Sequence, residues 1–576
     1  MADWNIDYDR LREHLRHGPD TLRVLRRTGL LRELGKNPLA TFRALQGEAP
    51  SLRNVHRIVA VRHPDRVAVC DPSRSLTYAA IDDAIDRCAS LLREWFQVSR
   101  GDRVVLMSEN RVEYVVLWFA LFRLGAVAVH ASYELRDEEL DYVVSHSGAK
   151  LICVSTTGMK VAAEVARRRH HGAFPVLHID GLHEPDGDAE QQDHHKARVM
   201  SLSANFRLAR PTLLPEVDQG QSVVYTSGTT GRPKGAVRNF SAMTATELAC
   251  ILERLPLRTG ERFLVVGRLY HSAAQAFSGM VSVLGGTLVL RSRFDAGGLF
   301  DDIRREAIES VFLVPNMMER ALDAEPEASR GAALPTLRAV ISGAAPFPQP
   351  LRERMAARLG PERLFDFYGA TELGWVTTVN GTEMLARPGT VGRAVRGHEI
   401  SIRDISGKPL WPSEIGIVWT RSAQRMEQYL GDEDATSEAI RDGWTTVEDL
   451  GYLDADGYLF LSGRARDMII SGGVNIYPAE VEAALMRHED IADAAVFGLP
   501  DPQWGEVVCA AVVARPGRSL PGSGELRSWA LGRMAPAKAP RRWFVLGELP
   551  RNPTGKVLKR ALREHFGSAE ATGPVA

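Results

Sequence analysis

From about residue 55 to residue 460, short β-branched runs alternate with helix-patterned stretches, and this alternation restricts the fold more than any other feature of the chain. Arg103–Met107, Leu151–Val154, Ser222–Tyr225, Phe263–Val266, Val311–Val314 and Ala339–Ser342 are each too short for a helix. Apolar strands of this kind, separated by helices, pack as parallel sheets in α/β layers. The apolar stretch from Tyr114 to Ala131 fits the same scheme. Arg123 and Gly125 break it and Glu113 precedes it, so it reads as a buried helix running into a buried strand, not as a membrane span. A chain of 576 residues exceeds one hydrophobic core. The expected organisation is a helical extension over 1–50, a large domain of layered α/β subdomains over 51–463, a small α+β domain over 464–566 and a tail over 567–576.

Charge is balanced, with 71 Lys+Arg against 72 Asp+Glu, so no global field favours nucleic acid. An anionic substrate must be held by a local site. The five cysteines Cys70, Cys88, Cys153, Cys250 and Cys509 are scattered and form no CxxC pair, which fits a reducing cytoplasm better than a disulfide framework. The polar, acidic start MADWNIDYDR does not read as a signal peptide. Glu184–Lys196 reads as a surface loop, its histidines lacking metal-ligand spacing. Between Arg10 and Lys36, eight Lys/Arg stand against three acidic residues, with Leu11, Leu15, Leu22, Leu25, Leu30, Leu31 and Leu34 at roughly helical spacing. Two readings stay open here: helices packed on the main body, or a basic amphipathic surface resting on the inner face of a membrane.

The chemistry is concentrated in Tyr225-Thr226-Ser227-Gly228-Thr229-Thr230-Gly231-Arg232-Pro233-Lys234-Gly235, directly after a predicted strand. Glycines let backbone approach an anion, exposed N–H groups cradle phosphate, hydroxyls add donors and lysine adds a point charge. A nucleoside triphosphate suits such a loop. It is not a Walker A loop, because Pro233 precedes Lys234 and Gly235 follows it.

The string resembles the phosphate-binding loop of the adenylate-forming superfamily, which includes acyl-CoA synthetases, peptide-synthetase adenylation domains and firefly luciferases. Further segments match in the family's order. Ser342-Gly343-Ala344-Ala345-Pro346 resembles its adenine wall, and Tyr368-Gly369-Ala370-Thr371-Glu372 its YGxTE segment. Asp449 matches the ribose-binding aspartate. Gly463-Arg464-Ala465-Arg466-Asp467, with the later Gly472-Gly473, resembles the hinge and the loop after it. Pro553-Thr554-Gly555-Lys556 matches the C-terminal catalytic lysine motif. The resemblance covers about residues 55–565 and leaves the N-terminal extension outside.

The resemblance implies ATP-dependent activation of a carboxylic acid, with Mg²⁺ and coenzyme A as the further participants. Thr226, Ser227, Gly228, Thr229, Thr230, Gly231 and Lys234 are expected to hold the phosphates, and Glu372 to hold Mg²⁺. Gly343, Ala344, Ala345, Asp366, Tyr368, Gly369 and Thr371 are expected around the nucleotide, with Asp366 receiving the adenine amino group. Asp449 and Arg464 should take the ribose. Lys556 should reach the α-phosphate from a mobile C-terminal domain that later rotates about Arg466, after which Gly472, Gly473 and His271 line the thiol path. The family commonly has Lys or Asp at position 466, and proline where Arg268 stands.

Amino-acid-activating relatives usually carry an aspartate in the segment Leu269–Ala274, whereas this chain offers His271 and small apolar residues. A medium- to long-chain fatty acid is therefore the expected substrate and CoA the expected acceptor. An acyl-carrier protein as acceptor, and a non-catalytic lipid- or nucleotide-binding relative, share these motifs.

Overall fold

A computed structural model describes residues 19–45, 51–169, 174–181, 198–202, 206, 209, 220–226, 233–239, 245–327, 330–551 and 557–567. Ser227–Arg232, Glu184–Lys196, the Pro553–Lys556 motif, Leu11, Leu15 and the tail 568–576 lie outside the described residues.

Among the described residues three sheets organise the chain. In the first, Val67–Asp71, Thr287–Leu290, Arg262–Val265, Ser310–Phe312, Ala339–Ser342 and Leu364–Ala370 lie side by side and parallel. The sheet continues antiparallel through Gly374–Asn380, Thr390–Ala394, Tyr458–Arg464, Asp449–Leu453 and Gly416–Arg421. In the second, Gln221–Thr226, Val127–Ala131, Arg103–Met107, Leu151–Val154, Pro175–His178 and Arg198–Ser201 run parallel. Lys234–Asn239 and Gln428–Tyr429 extend it antiparallel beyond Gln221–Thr226. The expected α/β layers with parallel sheets are thus present.

Helix Val112–Arg123 is buried along its whole length and leads into buried strand Val127–Ala131, as the sequence implied. The charges that interrupt its apolar run are neutralised inside: Arg123 pairs with Asp82 at 2.8 Å and with Asp86, and Glu113 with Arg74 at 2.7 Å. Unpaired, each would cost several kcal/mol. Among the described residues no helix is long and apolar enough to cross a membrane, and all five cysteines are free thiols. The strand expected at Val311–Val314 ends at Phe312, because Pro315 opens the next helix and Val314 serves as its extended N-cap.

The chain leaves the first sheet at Arg464 and enters a third at Ile469. There a long antiparallel pair, Ile491–Asp501 with Gly505–Ala514, carries Ile469–Ser471 on one side and parallel Arg542–Val545 on the same central strand. Helices Pro478–Leu485 and Lys559–Gly567 pack on Ile491–Asp501, which makes a small C-terminal α+β unit with its own cores.

The N-terminal extension joins the main body. Val24, Leu25 and Leu30 are buried in the same core as Val55, Val59 and Phe277. Arg27 donates to the main-chain oxygens of Leu252, Glu253 and Leu255, satisfying carbonyls at the end of helix Ala245–Leu252. The packed reading of the extension therefore holds for its inward face.

Candidate active site

Strands of an open parallel sheet present their carboxyl ends to a crevice where ligands bind. Here two sheets do so toward one another. Thr226 ends strand Gln221–Thr226 of the second sheet, while Ser342–Gly343 and Ala370–Glu372 follow strand ends of the first. The two meet directly: Thr226 Oγ1 donates to Glu372 Oε1 at 3.1 Å. Glu372 is 7% exposed, so its carboxylate is mostly shielded from water.

The segment Gln424–Asp432 stitches the sheets together at this point. Met426 N donates to Glu372 O at 2.8 Å, and Leu430 N to Gly235 O at 2.8 Å. Tyr429, paired with Ala236 in the strand register, donates its OH to Glu372 Oε1 at 3.0 Å. Burial and the Glu372 carboxylate both push this phenol upward, so it stays a protonated donor. Lys234 Nζ lies 5.2 Å from the Tyr429 ring centre and 3.8 Å from Asp432. One aromatic side chain thus touches both the carboxylate and the ammonium of the phosphate side of the site. Neither Tyr429 nor Asp432 was expected from the sequence. Tyr429 is 57 residues from Glu372 and lies in none of the segments that resemble the family's motifs, and strand pairing brings it in.

Arg238 enters from the second sheet and donates to Thr371 O at 2.7 Å. Thr371 Oγ1 meets Ser272 Oγ at 2.9 Å, which ties the Tyr368–Glu372 segment to the start of helix Ser272–Val283. Asp449 and Arg464 face each other across the antiparallel pair, 3.2 Å apart, and Tyr368 OH donates to Asp449 Oδ2 at 2.8 Å. Glu448, just before Asp449, holds a left-handed backbone at φ 61 and accepts from Ala465 N at 2.9 Å. Such a conformation is strained for a non-glycine residue, and strain of this kind clusters at functional sites.

Gly343 needs to be glycine: a Cβ there would come within 2.4 Å of the Phe367 ring. Ala344 follows at φ 65, exposed, with Ala345 half-buried. Asp366 is placed differently from the rest. The residue is 3% exposed, its carboxylate lies 3.6 Å from Arg352 Nη2, and burial pushes its carboxyl up to about 6 against the pull of Arg352. It lies on the face of strand Leu364–Ala370 that packs against helix Gln349–Leu359.

His271 is the extended N-cap of helix Ser272–Val283. Asn110 fixes the loop before it, accepting from Leu269 N and donating to Gly267 O, each at 2.8 Å. Arg268, at the position where the family often has proline, pairs with Glu134 and donates to Tyr270 OH at 2.6 Å, so side-chain bonds restrain this backbone. Burial first, then the Arg268 charge, pulls the His271 imidazole down to about 4. It is neutral near pH 7, and its Nε2 is enclosed with no hydrogen-bond partner among the described residues.

Arg466 lies exposed in the turn Ala465–Asp467, between the last strand of the first sheet and the first strand of the third. Gly472 and Gly473 form an exposed turn with φ 58 and 79. A Cβ on Gly472 would crowd the Trp504 ring at 3.0 Å. Ser227, Gly228, Thr229, Thr230, Gly231 and Lys556 fall outside the described residues.

A shielded carboxylate with a hydroxyl beside it offers the hard oxygen chemistry that Mg²⁺ takes, and no cluster of three or more acidic, His or Cys ligands occurs among the described residues. Magnesium commonly uses one or two carboxylates plus substrate phosphates, so these residues fit it.

The AMP-binding enzyme family matches residues 57–430, and the AMP-binding enzyme C-terminal domain matches residues 480–556. A feruloyl-CoA synthase of Amycolatopsis sp is 33% identical over 506 residues, covering 88% of this chain and 96% of the relative. The long-chain-fatty-acid–CoA ligase FadD13 of Mycobacterium tuberculosis is 30% identical over 510 residues, covering 88% of this chain and 96% of that protein. Among solved structures, the o-succinylbenzoate CoA synthetase of Bacillus subtilis in complex with its acyl-adenylate intermediate superposes with TM-score 0.76 and 26% identity, covering 91% of this chain and 99% of the other.

Proposed function

Because this chain belongs to the AMP-binding enzyme family, we propose that it activates a medium- to long-chain fatty acid as acyl-AMP, releasing pyrophosphate, and transfers the acyl group to coenzyme A. The coarser statement stands by itself: the chain is an ATP-dependent acyl-CoA ligase. The observation that carries the proposed use of the site is the Thr226–Glu372 contact, which closes the phosphate loop strand onto the YGxTE segment.

A carboxylate has no good leaving group, and joining it to AMP as a mixed anhydride supplies one. The carboxylate oxygen attacks the α-phosphorus in line, the bond to the bridging oxygen breaks and pyrophosphate leaves. The protein's task is positioning and electrostatic stabilisation. In this proposal Thr226, Ser227, Gly228, Thr229, Thr230 and Gly231 hold the phosphates and Lys234 adds charge. Glu372 would hold Mg²⁺, steadied by Thr226 and Tyr429, and the ion when bound neutralises phosphate charge. Asp449 and Arg464 take the ribose, with Tyr368 fixing the aspartate. Gly343–Ala345 and Gly369–Thr371 flank the base. Asp366, whose buried Oδ1 has no hydrogen-bond partner among the described residues, receives the adenine amino group. Lys556 approaches the α-phosphate, then withdraws as the domain from 464 to 566 turns about Arg466. Gly472, Gly473 and neutral His271 then border the thiol path.

Support for a fatty acid is the small, apolar opening of helix Ser272–Val283 beside His271, without an acid to pair an ammonium group. A second reading, an aryl acid, is favoured by the feruloyl-CoA synthase relative. A pyrophosphate-release screen over fatty, aryl and branched acids, repeated with CoA and with carrier protein, decides between them. Turnover with aryl acids and none with C8–C18 fatty acids would contradict the proposal.

A further inference from the structure

The N-terminal extension has two apolar faces, and the core accounts for only one. Val24, Leu25, Leu30 and Leu45 point inward and are buried. Leu22, Leu31, Leu39 and Phe42 point outward, exposed by 54, 43, 73 and 68%. Leu39, Phe42 and Arg43 share one side of helix Pro38–Leu45 by their i, i+3, i+4 spacing, opposite buried Thr41 and Leu45. On the preceding helical segment Leu22, Arg23 and Arg26 lie opposite buried Val24, Leu25 and Thr28. Arg32 stands exposed beside Leu31. Each helix of the extension therefore shows solvent a leucine or phenylalanine next to an arginine. Exposed large apolar groups scattered singly need no explanation, but four within 21 residues, each next to arginine, do.

We infer that the outward face of residues 22–43 is a docking surface for an anionic lipid bilayer, with Leu22, Leu31, Leu39 and Phe42 entering the interface and Arg23, Arg26, Arg32 and Arg43 meeting the headgroups. Charge selects this occupant. Residues 20–43 contain Arg23, Arg26, Arg27, Arg32, Lys36 and Arg43 against Asp20 and Glu33. A second copy docked through the same face would set arginines against arginines. An anionic surface complements both the apolar and the basic groups. The inward face explains how the surface is held: Arg27 grips the end of helix Ala245–Leu252, Thr259 N donates to Thr28 O at 2.9 Å, and Glu33 meets His63. The docking face is thereby fixed to the enzyme body, ahead of the family match that begins at residue 57. The inference is independent of which acid is activated.

The test is co-sedimentation of the full chain with phosphatidylglycerol–phosphatidylcholine vesicles and with phosphatidylcholine vesicles. Binding is expected to the anionic vesicles, to weaken roughly tenfold in 0.5 M salt, and to fall by about tenfold or more in a Leu39→Glu/Phe42→Glu variant. Both side chains are exposed, so pyrophosphate release with a soluble acid and the melting temperature should stay at the wild-type level. Equal binding to both vesicle types would overturn the inference. So would loss of binding on deleting residues 1–18 alone with none in the double variant, or a dimer in solution that the double variant dissolves.

Discussion

At the scale of single residues, the site depends on keeping opposite charges close without letting them collapse onto each other. Glu372 and Lys234 serve the same phosphates in the proposed mechanism, and Tyr429 stands between them, bonded to one and under the other. Tyr429→Phe keeps the ring beneath Lys234 and removes the hydrogen bond to a carboxylate, a bond worth about 1.5–3 kcal/mol. Pyrophosphate release should therefore need about tenfold more Mg²⁺, and calorimetric affinity for ATP should fall by a similar factor in the presence of Mg²⁺. An unchanged Mg²⁺ requirement would show that the phenol does not position Glu372. Thr226, Glu372, Asp449 and Arg464 stand out in the sequence through the resemblance of their short strings to the family's segments, and the structure brings Thr226 to Glu372 and Asp449 to Arg464. Tyr429 and Arg238 were not legible: their roles arise from strand pairing between distant segments. The enclosed setting of Asp366 was hidden too, since position two before Tyr368 does not say which face of the strand it takes.

At the scale of elements, buried charge at the sheet ends sets the response to pH. Glu261 begins strand Arg262–Val265 and is tied to Arg338 at 3.0 Å, Arg258 N at 2.7 Å and Ser310. Burial nevertheless pushes its carboxyl up to about 7, from an ordinary 4.5. The folded state therefore holds this proton more tightly than the unfolded one. The resulting stability is complete below about pH 4.5 and is lost as pH rises to about 7. Glu261→Gln should remove a pH-dependent component on the order of 3 kcal/mol across that window. Melting curves at pH 5 and 7.5 check this, and an identical slope in wild type and variant would contradict it. A second prediction concerns the turn Ala465–Asp467. Proline at 466 locks φ and restricts Ala465. Arg466→Pro should leave acid-dependent ATP–pyrophosphate exchange near normal and cut acyl-CoA formation at least tenfold, while Arg466→Ala does much less. Wild-type acyl-CoA formation by the proline variant would place the hinge elsewhere. Parallel strands such as Arg103–Met107 and Leu151–Val154 were readable from sequence because they are short apolar runs. Gln428–Tyr429 was not, having two residues and no apolar pattern.

At the scale of the whole molecule, the account requires one chain to perform two reactions at one carbonyl with different groups in place. The first sheet supplies Glu372, the second supplies Thr226 and Lys234, and the C-terminal unit, in whose sequence Lys556 falls, has its own cores. The extension adds a basic, apolar face fixed to the large body. If Lys556 belongs to adenylation alone, its removal must separate the half-reactions. The deciding measurement is therefore made on Lys556→Ala, comparing acyl-AMP formation from acid and ATP with thioester formation from ready-made acyl-adenylate and CoA. A loss of about a hundredfold or more is expected in the first, from removing a charge-assisted contact to the reacting phosphate, and a near wild-type rate in the second. Equal loss in both, from a variant that melts like the wild type, would contradict it.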